Sequence, residues 1–209
     1  ILYQSGFSYP GHTEYLASLV NVKTEPVMML ISERLRVIPV TRHVSLQTAI
    51  NKLTPELIIE TAVIADKALR QDFGIPNPRI AIAALNPHAG EGGSMGSEEK
   101  TCISPAIQIL KAKGLLVTGP MPPDTLFHSQ SRDTYDVVLC MYHDQALIPI
   151  KTLDFHTAVN VTLGLPLIRT SPDHGTALNI AGKGFASEKS LIAALKIANK
   201  IAYNRSRTA

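Results

Sequence analysis

Arg79-Ile80-Ala81-Ile82-Ala83-Ala84-Leu85, followed at once by Asn86-Pro87-His88-Ala89-Gly90-Glu91-Gly92-Gly93, is the stretch that decides the fold. An apolar run of strand length that empties into a glycine-rich polar loop, with a helix beyond it, is one unit of an α/β fold. Residues 100–113 supply that helix, closed by Gly114, and Pro105 near its start shifts its first turn. Upstream, Val27-Met28-Met29-Leu30-Ile31 and Arg36-Val37-Ile38-Pro39-Val40 flank the polar turn Ser32-Glu33-Arg34 as a hairpin or neighbouring strands, with Pro39 favouring an edge position. Thr54 ahead of Pro55 reads as a cap and first helical residue; Leu57, Ile58, Ala62, Ala65 and Leu69 form the apolar stripe, and Gly74 ends the helix. Downstream, 115–118 and 136–141 read as strands and 190–203 as a long amphipathic helix. Alternation of this kind predicts a partly parallel sheet, without repeats or linkers.

The composition removes several function classes. A chain of 209 residues has room for one or two domains with their own core. Its 20 basic and 17 acidic residues leave a net charge of +3, and no Lys/Arg-rich block occurs, which argues against a nucleic-acid partner. The apolar runs are strand-length, well short of the roughly 20 residues of a membrane-spanning helix, so no membrane role is expected. Cys102 and Cys140 read as buried free thiols of a reducing cytoplasm. Ile1-Leu2-Tyr3-Gln4-Ser5-Gly6 has neither an initiator methionine nor the order of a signal peptide, so the chain is expected to begin inside a longer protein.

Ligands of open α/β sheets bind beyond the carboxyl ends of strands. Three such ends each carry a histidine: Thr41-Arg42-His43, Asn86-Pro87-His88 and Tyr142-His143-Asp144. A lone strand-end histidine is usually a hydrogen-bonded structural residue. Three at one rim are also the donor set of a catalytic divalent metal with positions left open, although no local motif such as H-E-x-x-H fixes their spacing. Asp144 is placed to orient an imidazole, to move a proton or to cap the next turn. The loop 86–93 lacks the Lys-Ser/Thr ending of a P-loop, so a nucleoside triphosphatase is excluded. A second polar, glycine-rich loop spans 173–184, for which a simple turn with a helix start at Thr176 is the alternative. Lys151, Asn160 and Arg169 suit an anionic, hydroxylated ligand, or else are surface residues. Gly11-His12-Thr13-Glu14 reads as a helix N-terminus, where anions bind. The residues alone therefore reach a metal-assisted α/β enzyme of an anionic substrate.

Taken in order, Gly11-His12-Thr13-Glu14, Leu85 to Gly93, Pro123-Asp124-Thr125-Leu126-Phe127, Met141-Tyr142-His143-Asp144-Gln145, Val159-Asn160-Val161-Thr162-Leu163-Gly164-Leu165-Pro166 and Asp173-His174-Gly175-Thr176-Ala177 resemble the 4-hydroxythreonine-4-phosphate dehydrogenase family of vitamin B6 biosynthesis. The resemblance runs from about residue 11 to about 202. It implies a two-lobed α/β/α subunit, similar in fold to isocitrate and isopropylmalate dehydrogenases, without the family's N-terminal third. Residues 1–175 would be the substrate-binding, metal-binding and dimerising lobe, and 176–209 would return to the largely missing lobe. It further implies a cytoplasmic homodimer with its active site at the interface.

By resemblance, His43, His88 and His143 hold zinc, magnesium or cobalt. His12, Thr13, Lys151, Asn160 and Arg169 bind the small phosphorylated amino-acid substrate, and Asp144 and Lys151 are the catalytic candidates. His174, Gly175, Thr176, Ala177 and Asn179 would form an adenosine-binding loop for NAD or NADP. Asn179 stands where an acidic residue commonly takes the ribose hydroxyls of NAD, which leaves the choice of cofactor open. The implied reaction is oxidation of 4-phosphohydroxy-L-threonine with decarboxylation to 3-amino-2-oxopropyl phosphate. The competing readings are a dehydrogenase of a related four-carbon phosphorylated sugar acid, a metal-dependent lyase or hydrolase without nicotinamide, and a non-catalytic, metal-binding or dimerising remnant.

Overall fold

The computed structural model describes residue 9 and residues 12–20, 25–175 and 177–208, with the side chains of 12–14 and 208 left out. In chain order the strands are β1 (Val27–Ile31), β2 (Arg36–Pro39), β3 (Arg79–Ala83), β4 (Leu116–Met121), β5 (Val137–Cys140), β6 (Val159–Leu163) and β7 (Arg169–Pro172). The helices are α1 (His12–Leu19), α2 (Leu46–Lys52), α3 (Pro55–Gln71), α4 (Ser104–Ala112), α5 (Pro123–Leu126), α6 (Ser129–Arg132), α7 (His143–Asp154) and α8 (Lys189–Thr208). One sheet runs β4-β3-β5-β2-β1-β6-β7. Its first four strands are mutually parallel, and β1, β6 and β7 continue it antiparallel. The expected α/β class with a partly parallel sheet is what forms.

Helices cover both faces. Ile58 and Leu69 of α3, Leu110 of α4 and Ile201 of α8 pack with Ile38, Ile82 and Leu139 on one face. On the other, Ala146, Leu147 and Ile150 of α7 pack on Leu30, Val37 and Val138. Alternation along each strand sends neighbouring residues to opposite faces, so a wholly buried run such as Val137–Cys140 feeds both cores. Thr54 accepts from the Leu57 amide at 3.2 Å and caps α3 as its sequence predicts. Both cysteines are free and buried, and burial pushes the Cys140 thiol far above its usual range.

Four expectations are corrected. Pro39 lies in a central strand, not an edge. The Val40 amide donates to Cys140 of β5, so the Pro39 nitrogen faces β1, where pairing has already ended at Val37 and Leu30. The helix expected over 100–113 opens as a π turn, Glu99–Ile103, before α4. A proline ring crowds the carbonyl four residues back, here that of Thr101, and the wider turn relieves it. Strand β4 runs to Met121 instead of Thr118, across a register shift opposite Ala81 to Ala83. Helix α8 extends beyond residue 203 to Thr208, secured by Arg205, whose Nε and Nη2 bond the two carboxylate oxygens of buried Asp72 at 2.7 and 2.9 Å.

Candidate functional site

Strands β3, β5 and β2 are adjacent and parallel, so their carboxyl ends form one rim bearing His88, His143 and His43. His43 and His143 meet there, with ring centroids 5.5 Å apart and planes inclined by 48°. A cleft of about 220 Å³ opens between Thr41, His43, Leu46, Tyr142, His143 and Asp144. Asp144 Oδ1 lies 2.7 Å from His143 Nδ1, which turns Nε2 to the opposite side of the ring.

The backbone at two of the three histidines is unusual. His43 has φ 47° and His88 has φ 51°, both left-handed. From His88 to Gly92 all five residues are left-handed, and for a side chain other than glycine that costs about 1–2 kcal/mol per residue. Strain of this kind persists only where the surroundings enforce it, and it concentrates at functional sites. Just ahead of these residues, Glu99, buried in the π turn, holds the exit of β3. Its Oε1 accepts from the amides of Leu85 (2.9 Å) and Asn86 (2.7 Å), and its Oε2 from Asn86 Nδ2 (2.9 Å). Asn86 also donates to Glu98 and holds that carboxyl below its usual range.

The three imidazoles suit a divalent cation in donor chemistry and stand on one rim. The ring contact on the rim is that of His43 with His143. Among the described residues, no three His, Cys, Asp or Glu side chains stand close enough to enclose an ion.

Among the substrate candidates, Lys151 lines an open groove along α7 together with His143 and Asp144. Lys151 Nζ is 3.1 Å from Asp173 Oδ2. It lies eight residues after His143 on α7, about 12 Å along the axis. Asn160 pairs with Leu30 and Ser171, and Arg169 with Thr162, which in turn faces Met28. Because Met28 and Leu30 belong to the core under α7, Asn160 and Arg169 share that face of the sheet with Lys151. Arg169 Nη1 lies 3.4 Å from Thr162 Oγ1. This patch and the imidazole pair lie toward opposite ends of α7. The outer side of that helix exposes Ile148 and Phe155.

The loop after β7 is open. His174 Nδ1 is 3.0 Å from the Gly175 carbonyl, Ala177 has φ 45°, and Asn179 lies exposed in a short turn, Leu178–Ile180. A Cβ built at Gly175, Gly182 or Gly184 meets nothing within 4 Å, so this backbone is accessible to a ligand. Thr176 and the side chains of His12 and Thr13 lie outside the described residues; the helix expected at 11–14 begins at His12. Sequence reasoning passed over Thr41, Glu99 and Gln145, whose buried side chains bond the backbone of the strand ends. Their signal is a polar residue beside a strand end, which sequence alone cannot tell from an exposed one.

Comparison with known proteins identifies the family. The family model described as "Pyridoxal phosphate biosynthetic protein PdxA" matches residues 1–198. The chain belongs to this PdxA family. It is 58% identical over 205 residues to the 4-hydroxythreonine-4-phosphate dehydrogenase of Bradyrhizobium diazoefficiens, covering 97% of this chain and 59% of that protein. The crystal structure of the Klebsiella pneumoniae 4-hydroxythreonine-4-phosphate dehydrogenase superimposes with a TM-score of 0.86 at 47% identity, covering 96% of this chain and 61% of that one. A terephthalate 1,2-cis-dihydrodiol dehydrogenase from Burkholderia xenovorans LB400 gives 0.74 at 27% identity, over 94% and 62%. The chain thus spans about 60% of the length of these PdxA relatives. Their names are those of oxidoreductases, and no helix among the described residues is long and apolar enough to cross a membrane.

Proposed function

We propose that this chain carries the metal- and substrate-binding part of a cytoplasmic 4-hydroxythreonine-4-phosphate dehydrogenase of pyridoxine 5'-phosphate biosynthesis. The observation that carries the reading is the rim itself: three histidines at the ends of three adjacent parallel strands, two of them on left-handed backbone. His43, His88 and His143 would hold zinc, magnesium or cobalt, which supplies Lewis acidity toward the C3 oxygen of 4-phosphohydroxy-L-threonine. His174, Gly175, Thr176, Ala177 and Asn179 would hold NAD or NADP, which when bound would supply the hydride acceptor for C3. Loss of that hydride and of the hydroxyl proton leaves a 3-oxo acid. Its carboxylate departs as carbon dioxide, the bonding electrons pass into the ketone as an enolate, and uptake of one proton at the former α-carbon gives 3-amino-2-oxopropyl phosphate.

The chain's own side chains bind and orient. Lys151 and Arg169 hold the phosphate and carboxylate by charge-assisted hydrogen bonds, and Asn160, His12 and Thr13 hold the neutral polar groups. Asp144 keeps the His143 ring turned and is placed to move the hydroxyl proton. Lys151 follows His143 by about 12 Å along the axis of α7, and the two side chains line one open groove with Asp144, Leu147, Ile148 and Thr152. A homodimer, packed through the exposed side of α7, brings the imidazole end of one copy to the cationic patch of the other. Residues 1–175 form the substrate, metal and dimer lobe. Residues 176–209 return toward a second lobe of the kind the longer relatives have room for, and Leu191 and Leu195 of α8 are exposed to receive it.

The likeness to the dihydrodiol dehydrogenase supports a second reading, in which the same rim oxidises a different anionic diol. The test is nicotinamide reduction with each substrate, using this chain with and without the N-terminal segment of a relative. Reduction with 4-phosphohydroxy-L-threonine that disappears in His88→Ala and on metal removal is expected. Turnover unaffected by metal removal overturns the mechanism, and turnover with the diol alone replaces the substrate.

A further inference from the structure

A cavity lies at the opposite pole of the sheet from the histidine rim. Strands β2 and β5 pair in parallel from Val37 with Val138, so their amino ends, at Arg36 and Val137, stand side by side. There a space of about 360 Å³ opens between the turn that joins β1 to β2, helix α6 and the entry to β5. Its volume falls within the range of about 300–1,000 Å³ for small-molecule pockets. None of its lining residues takes part in the reaction proposed above.

Arg36 and Arg132 give the cavity its chemistry. Both are half-buried, and each spends one N–H on a carbonyl: Arg36 Nη1 donates to Asp136 at 3.0 Å, and Arg132 Nη1 to Arg34 at 3.3 Å. The Nε of each is shielded from water without a partner, and Nη2 makes no hydrogen bond among the described residues. The Phe73 ring, 5.9 Å away, supports the face of Arg36 and takes none of its N–H groups. Neither guanidinium has a carboxylate of its own. Asp136 is taken by Arg79, whose amide lies at 2.8 Å and whose guanidinium lies at 3.1 and 3.2 Å, and Asp154 is taken by Arg34. Glu33 and Asp133 also line the cavity, but both are exposed and screened by solvent. Burial pulls the Arg36 guanidinium below its usual range, with Asp136 alone opposing it.

We propose that Arg36 and Arg132, with the exposed Ser129 at the mouth, bind the phosphate group of a small molecule at a site separate from the rim. The edge formed by Nε and Nη2 is the one with which a guanidinium grips a phosphate through two parallel bonds. That edge is unspent on both arginines, and a small turn of each guanidinium about its stem presents it to the cavity. A buried donor left unpaired is costly, and a phosphate has oxygens enough to satisfy both forks and the Ser129 hydroxyl. The ligand is a phosphate monoester or free inorganic phosphate, which share this chemistry. The inference does not depend on the reading of the histidines, because none of these residues stands at that end of the sheet.

Calorimetric titration of the full 209-residue chain tests this, with inorganic phosphate and glycerol 3-phosphate as the probes. The chain is kept metal-free by chelator and carries Lys151→Met and Arg169→Met, so that the cationic patch beside α7 does not compete. Saturable binding of at least one probe, about one per chain, is expected. Adding Arg132→Gln should weaken it about 10- to 100-fold, the range for losing a hydrogen bond to a charged group. Ser129→Glu sets a like charge at the mouth from an exposed position, should also weaken binding, and provides the readout if the Arg132 variant does not fold. Lys196→Gln, which removes an exposed cation from α8, should keep affinity within about twofold. Tighter binding of the monoester upholds the site for a phosphorylated small molecule, and tighter binding of inorganic phosphate upholds it for the free anion. No saturable binding of either probe, or an affinity unchanged in both Arg132→Gln and Ser129→Glu, overturns the inference.

Discussion

Replacing Asp72 by alanine should cost about 2–3 kcal/mol, and the structure gives the reason. Asp72 caps α3, its side chain is 5% exposed, and it receives both Nε and Nη2 of Arg205 from α8. The bond to Asp72 holds the Arg205 guanidinium more firmly protonated than usual. Removing one partner of a fully buried pair costs about 3–5 kcal/mol, because the other charge is stranded. Arg205 is 22% exposed and still donates to the Pro166 carbonyl at 3.0 Å, so the lower part of that range, reduced for solvent, applies. In a chain of this size each kcal/mol moves the melting temperature by about 2–4 °C, so Asp72→Ala should melt roughly 4–12 °C early. Arg205→Met, which keeps the packing of the stem, should cost less when Asp72 is already alanine than when it is not, with a coupling of at least about 1 kcal/mol. Thermal and urea unfolding followed by circular dichroism measure all four members of the cycle. A melting point within a degree of wild type for Asp72→Ala, together with zero coupling, would refute the claim that this pair fastens α8 to the sheet.

Other substitutions probe separate parts of the account. Gly119→Ala would place a Cβ 2.4 Å from the Ile82 carbonyl, main chain of a central strand, at φ +134°, so a loss of about 3 kcal/mol is expected in urea unfolding. Leu110→Ala, in a fully buried position of α4, should cost about 2–5 kcal/mol by the same measurement. The Asp154 carboxyl is held below its usual range by its hydrogen bonds from Arg34. A lowered folded pKa gives stability that is full above the unfolded value and fades as pH falls through the folded one. Asp154→Asn should therefore be less stable than wild type near neutrality and approach it progressively below about pH 4, by a small margin because Arg34 is half exposed. A gap that instead widens in acid contradicts the sign.

The parts legible in the sequence are those governed by neighbours along the chain. The apolar runs Val27–Ile31 and Val137–Cys140, the Thr54 cap and the glycine-rich exit from β3 all announce themselves locally. Helix α2 has only seven residues, too few for a periodic stripe, and β7 is four polar-leaning residues, Arg169–Pro172, whose strand character comes from pairing with β6. Pro39 misleads because strand order is a tertiary fact. The histidines were legible as a set through their repeated position after strands. The bond from Gln145 to the Ala84 carbonyl, 61 residues earlier in the chain, was not, because it is a tertiary contact.

The central claim is that His43, His88 and His143 share one metal ion. X-ray absorption at the edge of bound zinc or cobalt, on this chain and on His43→Ala, His88→Ala and His143→Ala, measures it directly. Three imidazole nitrogens in the wild type, with a ligand lost in each variant, is the predicted result. A coordination shell unchanged by His88→Ala, or one without imidazole, would contradict it.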